Sequence, residues 1–195
     1  MKMKKYELIE ETIEWCGCTL HRIRALRDFG DVKADDMGGY IESEDNLSHD
    51  GDAWVFGNAC VSGNARVFGD AQVSDNACVS DNARVYGDAQ VFGNAQVYGK
   101  AWVFSNACIL TGAVICKSND YIVLGPIGSR SGIMTFYRAK GDSVWVKCGC
   151  FNDTIDAFAE EVIKVHGDDR HGRDYAAAIE FARRYFADGE TEAEK

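Results

Sequence analysis

Few residues in this chain combine a type and a spacing that could do chemistry. The segment Gly125-Pro126-Ile127-Gly128-Ser129-Arg130-Ser131-Gly132 comes nearest. Its glycines can expose backbone N–H groups, its serines can donate hydrogen bonds, and Arg130 can fork onto a phosphate. Gly125, Gly128, Ser129, Arg130 and Ser131 are therefore the candidate ligand-binding residues, for an anion or a small nucleotide. A Walker loop needs a Lys-Ser/Thr pair opening a helix. Here strands are expected on both sides, so a tight polar β-hairpin is the competing reading. His166 and His171 flank Gly167-Asp168-Asp169-Arg170, a cluster that could bind metal or move protons but also suits a solvated loop. His21 has no triad partner in sight, and His49 sits before the regular coils. Cys16/Cys18 and Cys148/Cys150 each read C-G-C, whereas zinc sites usually carry C-x-x-C. No catalytic residue, metal ligand or cofactor is assigned.

The elements that would position such residues are set by a repeat. Alanine stands at 53 and at every sixth position to 113, and valine or isoleucine at 55 and every sixth position to 115. Between each pair lies a turn dipeptide: Gly57-Asn58, Gly63-Asn64, Gly69-Asp70, Asp75-Asn76, and so on to Thr111-Gly112. Gly, Asn and Asp tolerate left-handed backbone angles. A six-residue unit with one such corner turns the chain by about a third of a circle, so three units close a triangular coil of eighteen residues whose Ala and Val columns point inward. The regular part, at a strand spacing of about 4.8 Å, is ~17 Å tall. Ile41 and Leu47 continue the six-residue spacing backward onto the alanine column, so a further partial coil is expected from Gly39.

Residues flanking each valine point outward, because side chains alternate along a strand. Sorted by eighteen, they give three faces. The first carries Trp54/Phe56, Gln72/Ser74, Gln90/Phe92 and Cys108/Leu110; the second carries Cys60/Ser62, Cys78/Ser80, Gln96/Tyr98 and Val114/Cys116. The third carries Arg66/Phe68, Arg84/Tyr86 and Trp102/Phe104. Arginine beside an aromatic column is the composition of interface hot spots and permits cation–π contact. Arg66, Phe68, Arg84, Tyr86, Trp102 and Phe104 are accordingly the candidate interface, for self-association as a dimer or trimer or for a foreign partner. Rings that only stack along the solenoid, or lie under the chain's own ends, are the alternative.

The flanking segments read differently. Residues 1–38 suggest a β-hairpin cap, Tyr6–Trp15 and Thr19–Leu26, followed by a polar loop over Asp28–Asp36. Residues 39–116 form the solenoid. Residues 117–187 suggest a small α+β module with three short strands (Tyr121–Leu124, Ile133–Arg138, Ser143–Lys147) and two helices. In the first helix Asp153 or Thr154 caps the start, Ile155, Phe158, Ala159, Val162 and Ile163 form one apolar stripe, and Gly167 ends it. Tyr175, Ala178, Ile179, Ala182 and Tyr185/Phe186 repeat that spacing in the second. Residues 188–195 suggest a disordered acidic tail.

The repeat, with its lead-in HRIRALRDFGDVKADDMGGYIESEDNLS, resembles the hexapeptide-repeat left-handed parallel β-helices over residues 20–115. It is most similar to the YdcK-like β-solenoids of phages and prophages. The string GPIGSR…TFY…VKCGCF…TIDAF…HGD…YAAAIE resembles an uncharacterised C-terminal module of phage proteins. These resemblances imply a phage-type protein in a bacterial cytoplasm, acting without catalysis as a binding or scaffold protein, and in the most specific version a counter-defence inhibitor that engages a host protein or sequesters a nucleotide signal. The alternative is a hexapeptide-repeat acyltransferase. In that family the site lies between subunits of a trimer and uses a histidine as general base. Here residues 53–115 contain no histidine and no inserted loop. The formal net charge of −10 argues against nucleic-acid binding through a general basic surface. The start MKMKKYELIEE has no apolar run behind its lysines, so neither a signal peptide nor a membrane span is expected, and the eight cysteines fit a reducing compartment.

Overall fold

The computed structural model describes residues 4–191. They divide into two compact units. The first runs to Gly112 and includes Cys116–Ser118; the second holds Ala113–Ile115 and continues from Asn119.

The first unit opens with an antiparallel hairpin, β1 (Tyr6–Trp15) and β2 (Cys18–Ala25), followed by β3 (Met37–Ile41). Two-residue strands then recur every six residues: β4 (Trp54–Val55), β5 (Cys60–Val61), β6 (Arg66–Val67), β7 (Gln72–Val73), β8 (Cys78–Val79), β9 (Arg84–Val85), β10 (Gln90–Val91), β11 (Gln96–Val97), β12 (Trp102–Val103) and β13 (Cys108–Ile109). They stack in parallel as β4–β7–β10–β13, β5–β8–β11 and β6–β9–β12, the three faces expected from the eighteen-residue period. The result is a β-solenoid of about four coils. The alanines and branched aliphatics of the repeat are all essentially buried. The first residue of each turn pair from Gly57 to Ser105 has positive φ, including Asp75 and Asp81 at 60°. A carboxylate suits those two corners because each reaches the next coil: Asp75 Oδ2 accepts from Gly93 N at 2.9 Å and Asp81 Oδ2 from Gly99 N at 3.0 Å. The last corner differs, with the positive φ on Gly112 rather than Thr111.

Hydrogen bonding gives the stack a polarity. Alanine and valine carbonyls accept from the coil before them, as in Trp54 N to Ala71 O at 3.0 Å and Phe56 N to Val73 O at 2.8 Å. The first coil therefore presents carbonyls that need donors, since a buried acceptor left unmade costs about 1–3 kcal/mol. On the second face β3 supplies them through Tyr40 N to Ala59 O and Glu42 N to Val61 O. On the third face Ser48 N serves Val67 O in the same way, and on the first and third faces side chains supply further donors. Lys5 Nζ donates to Ala53 O at 2.7 Å and Gly51 O at 3.3 Å. Asn46 Nδ2 donates to Gly63 O at 3.0 Å and Ala65 O at 2.9 Å. Both side chains are wholly buried. At the other end Trp102 N donates to Ser118 Oγ at 3.1 Å.

The hairpin joins the stack edgewise on the second face, in the order β1–β2–β3–β5, and its start reaches the other faces through Lys5 and Tyr6. Two details of the cap depart from the sequence reading. The loop over Asp28–Asp36 is not wholly polar, because Phe29 and Val32 are buried and Phe29 packs edge-on against Trp54, centroids 5.3 Å apart. Trp54 is therefore buried rather than outward, with Tyr6 on another side at 6.0 Å. Gly38 permits this closeness: a Cβ there would stand 2.7 Å from Trp54 Cζ2. Finally, Ile41 and Leu47 continue the valine column, not the alanine column. Ile41 pairs with Val61 and Leu47 with Val67, an offset of twenty residues rather than eighteen.

The second unit holds β14 (Val114–Ile115) and an antiparallel sheet in sequence order: β15 (Tyr121–Ile127), β16 (Gly132–Arg138), β17 (Val144–Cys148) and β18 (Phe151–Thr154). Sequence reasoning expected three strands; the fourth arises because Cys148-Gly149-Cys150 is a hairpin turn, with Gly149 at φ 55°. Two helices follow, α1 (Ile155–His166) and α2 (Arg170–Thr191). Thr154 caps α1 by accepting from Ala157 N, and Gly167 ends it at φ 55°. Met134, Phe136 and Val146 of the sheet meet Ile155, Phe158, Val162, Tyr175, Ile179, Ala182 and Phe186 in one core. Ile163, expected on the buried stripe, is 70% exposed. Helix α2 runs through Thr191, so residues 188–191 of the expected disordered tail are helical, and residues 192–195 lie outside the described residues.

Candidate functional site

The third face, β6–β9–β12, gathers all six candidate interface residues. Parallel register places Arg66 opposite Arg84 and Arg84 opposite Trp102. Phe68, Tyr86 and Phe104 form the adjoining column. Their rings stack along the solenoid: Phe68 on Tyr86 at 4.9 Å and 1°, Tyr86 on Phe104 at 5.4 Å and 15°. A coil spacing of about 4.8 Å is close to the natural separation of stacked rings, so the period itself builds the ladder. Trp102 meets Tyr86 edge-on at 6.5 Å, and the Arg84 guanidinium lies 5.0 Å from the Trp102 ring. Stacking does not hide the face: Trp102 and Phe104 remain 44% and 40% exposed, and both arginines are exposed. Among the described residues neither Arg66 nor Arg84 has a carboxylate within ion-pair distance.

Two hollows adjoin this face. One, of about 380 Å³, is lined by Glu44, Asp45, Leu47, Ser48, His49, Arg66, Val67, Phe68 and Arg84. The other, of about 440 Å³, lies along the neighbouring corner, with Asn64, Asn82 and the same two arginines. Asp45 borders both. Glu44 pairs with Lys4, whose ammonium holds its carboxyl below the usual range. His49 stacks on Tyr6 at 4.3 Å, and its Nδ1 accepts from Lys5 N at 3.2 Å.

The other sequence candidates fall elsewhere. Gly125 lies within β15, where its pairing with β16 is irregular, and Gly128–Ser131 form the turn joining β15 to β16, closed by Ser131 N to Gly128 O at 3.1 Å. Gly125, Gly128 and Ser131 border a hollow of about 620 Å³ with Arg170, His171 and Asp174 at the start of α2. Ser129 and Arg130 are exposed on the turn and do not line it. Gly128 sits where a Cβ would be 1.8 Å from Tyr175 Oη, so glycine there admits the tyrosine. His166 and His171 lie 6.0 Å apart, with His166 Nδ1 3.5 Å from Asp169 Oδ2. The C-G-C pairs are both hairpin turns. Among the described residues no group of three or more His, Cys, Asp or Glu is arranged to hold a metal ion, and no helix is long and apolar enough to cross a membrane. Cys60 and Cys78 stack in register on the second face, and their mutual hydrogen bond, with burial, pushes the Cys60 thiol up.

The stacked coils, the inward Ala and Val columns and the six-residue corners settle what the repeat is similar to. Residues 59–75, 71–87 and 77–91 match the family model of the YdcK beta solenoid repeat. No curated protein matches the chain. The YdcK-type repeat thus accounts for the architecture that carries β6 and β9 and leaves the outward residues to be read on their own. Asn46 and Ser48 were not singled out from sequence, and His49 was noted only for lying before the regular coils. Their signal was the twenty-residue offset, which brings Ser48 over Phe68 through Ser48 N to Val67 O at 2.9 Å.

Proposed function

We propose that this protein is a non-enzymatic binding scaffold whose working surface is the arginine–aromatic face of the solenoid. One observation carries the reading: two guanidiniums in register, without carboxylate partners among the described residues, stand beside a partly exposed ring stack. The fold does not require them, because the Ala and Val columns already fill the interior. Exposed Trp and Arg at the centre of a patch are what interfaces use for affinity. In a chain of net charge −10, this face is complementary to an acidic, aromatic-tolerant surface on a partner protein. The resemblance to phage and prophage solenoids supports the more specific version, a phage-type counter-defence protein that occupies a host protein; self-association through the same face is a further arrangement the surface supports.

The test compares wild type, an Arg84→Glu/Trp102→Ala variant and a Gln90→Ala control on another face. Capture from the native host is quantified by mass spectrometry, and light scattering reports oligomeric state. The expected result is a partner, or an oligomer, kept by wild type and control and lost by the double variant. Equal behaviour of all three would overturn the reading, as would coenzyme A-dependent acyl transfer by the purified protein.

A further inference from the structure

The ring stack of the third face is one rung short. Phe104, Tyr86 and Phe68 climb towards the N-terminal coil, and Phe68 offers Tyr86 only one of its two faces. The coil above is in register through Leu47 opposite Val67, which places Ser48 in the aromatic column. A hydroxymethyl group stands where the pattern has a ring. The space left is the hollow of about 380 Å³, whose lining includes Phe68, Ser48, His49, Arg66 and Arg84.

We propose that this gap is a binding site for a planar aromatic anion. The ring of the ligand lies on the open face of Phe68 as the next rung of the stack, and its negative group is held by Arg66 and Arg84. The volume lies at the low end of small-molecule sites, about 300–1,000 Å³, and suits a ligand between a single ring and a mononucleotide. Nucleobases and aromatic carboxylates both offer a π-face that stacks on an aromatic ring, and forked arginines are the usual partners of phosphate and carboxylate. Lys4 offsets Glu44, which leaves Asp45 as the lining carboxylate without an ion-pair partner among the described residues. Asp45 can accept from a donor on the ligand ring. His49 also lines the gap: its Nδ1 takes the Lys5 N–H, which leaves the hydrogen on Nε2, and Nε2 stands 3.5 Å from Glu44 Oε2. A bare inorganic anion would leave Phe68 uncovered, and an uncharged ring would leave the arginines unused.

This inference rests on the third face being a binding surface, and the test separates the two. Titration calorimetry of the full chain uses adenosine 5′-monophosphate and benzoate, with adenosine and inorganic phosphate as half-ligands. At least one of the first two is expected to saturate, at least tenfold tighter than either half-ligand. The tighter of them identifies a nucleotide or an aromatic carboxylate as the source. Ser48→Phe fills the empty rung with the protein's own ring and is expected to weaken binding at least tenfold. Ser48→Ala loses the same Asp50 N to Ser48 Oγ hydrogen bond but leaves the rung open, and is expected to bind at least fivefold tighter than Ser48→Phe; equal loss in both would overturn the plugging argument. Should Ser48→Phe not fold, Phe68→Ala is expected to give the same loss by removing the floor. No saturation by either aromatic anion, or wild-type binding by the plugged variant, overturns the site. Partner capture by Ser48→Phe is expected to persist, so failure of the pocket alone leaves the scaffold reading standing, whereas failure of the Arg84→Glu/Trp102→Ala comparison strikes the scaffold reading itself.

Discussion

Lys5 provides the sharpest test of how the solenoid is closed. Its ammonium is buried against the first coil, donates to Ala53 O and Gly51 O, and lies 4.9 Å from the Phe29 ring. Burial, aided by the Arg27 charge and opposed by Asp52, Asp50 and Asp70, lowers its pKa from 10.5 to about 8. At about 1.4 kcal/mol for each tenfold change in proton affinity, holding the charge inside costs on the order of 3–4 kcal/mol at neutral pH. Below pH 8 both folded and unfolded chains carry the proton and the full cost is present. Between pH 8 and 10.5 the unfolded chain holds a proton that the folded chain has released, so this group makes stability rise with pH. Lys5→Met removes the charge and both donors. At pH 7 the lost hydrogen bonds, about 1–3 kcal/mol for a carbonyl left unmade, are largely offset by the relieved desolvation. At pH 10.5 the offset is gone. Urea denaturation of wild type and Lys5→Met at pH 7, 9 and 10.5 in reductant should therefore show a small cost at pH 7 that grows by about 2–3 kcal/mol at pH 10.5. Tyrosine and cysteine titrations are common to both proteins and cancel in the difference. A cost that does not change with pH would refute the assignment of Lys5 as a buried, charge-penalised cap.

Asn46→Ala should cost about 2–4 kcal/mol by the same denaturation assay, since it removes donors from Gly63 O and Ala65 O and the acceptor of Ser43 N. Ala83→Leu should destabilise the solenoid by at least about 1–3 kcal/mol, because the alanine column is fully buried and has no room for three more carbons; an unchanged melting temperature would contradict the packing. Gly128→Ala should lower the stability of the second unit, where the new Cβ meets Tyr175 Oη and the backbone is at φ 75°; differential scanning calorimetry should show the loss.

The repeat was legible because its causes are local and recur. Every coil offers the same interior to Ala and Val, and every corner asks the same left-handed angle of Gly, Asn or Asp, so a period of six residues declares the columns and a period of eighteen declares the faces. Arg66, Arg84, Trp102 and the ring column could be grouped from spacing alone for that reason. Helix α1 was also legible, through Thr154 and Gly167 at its ends, although Ile163 on its expected stripe faces solvent. What broke the period could not be read this way. The twenty-residue offset that moves Leu47 onto the valine column and Ser48 over Phe68, the burial of Trp54 beneath Phe29 and Tyr6, and the use of Lys5 and Asn46 as donors each depend on a pairing that occurs once. The fourth strand of the second unit was missed because Cys148-Gly149-Cys150 closes a hairpin whose partner strand is only four residues long. A sequence reveals a contact when that contact is repeated at a fixed separation; a lysine and a carbonyl forty-eight residues apart become partners only once the coils have closed and left that carbonyl without a donor.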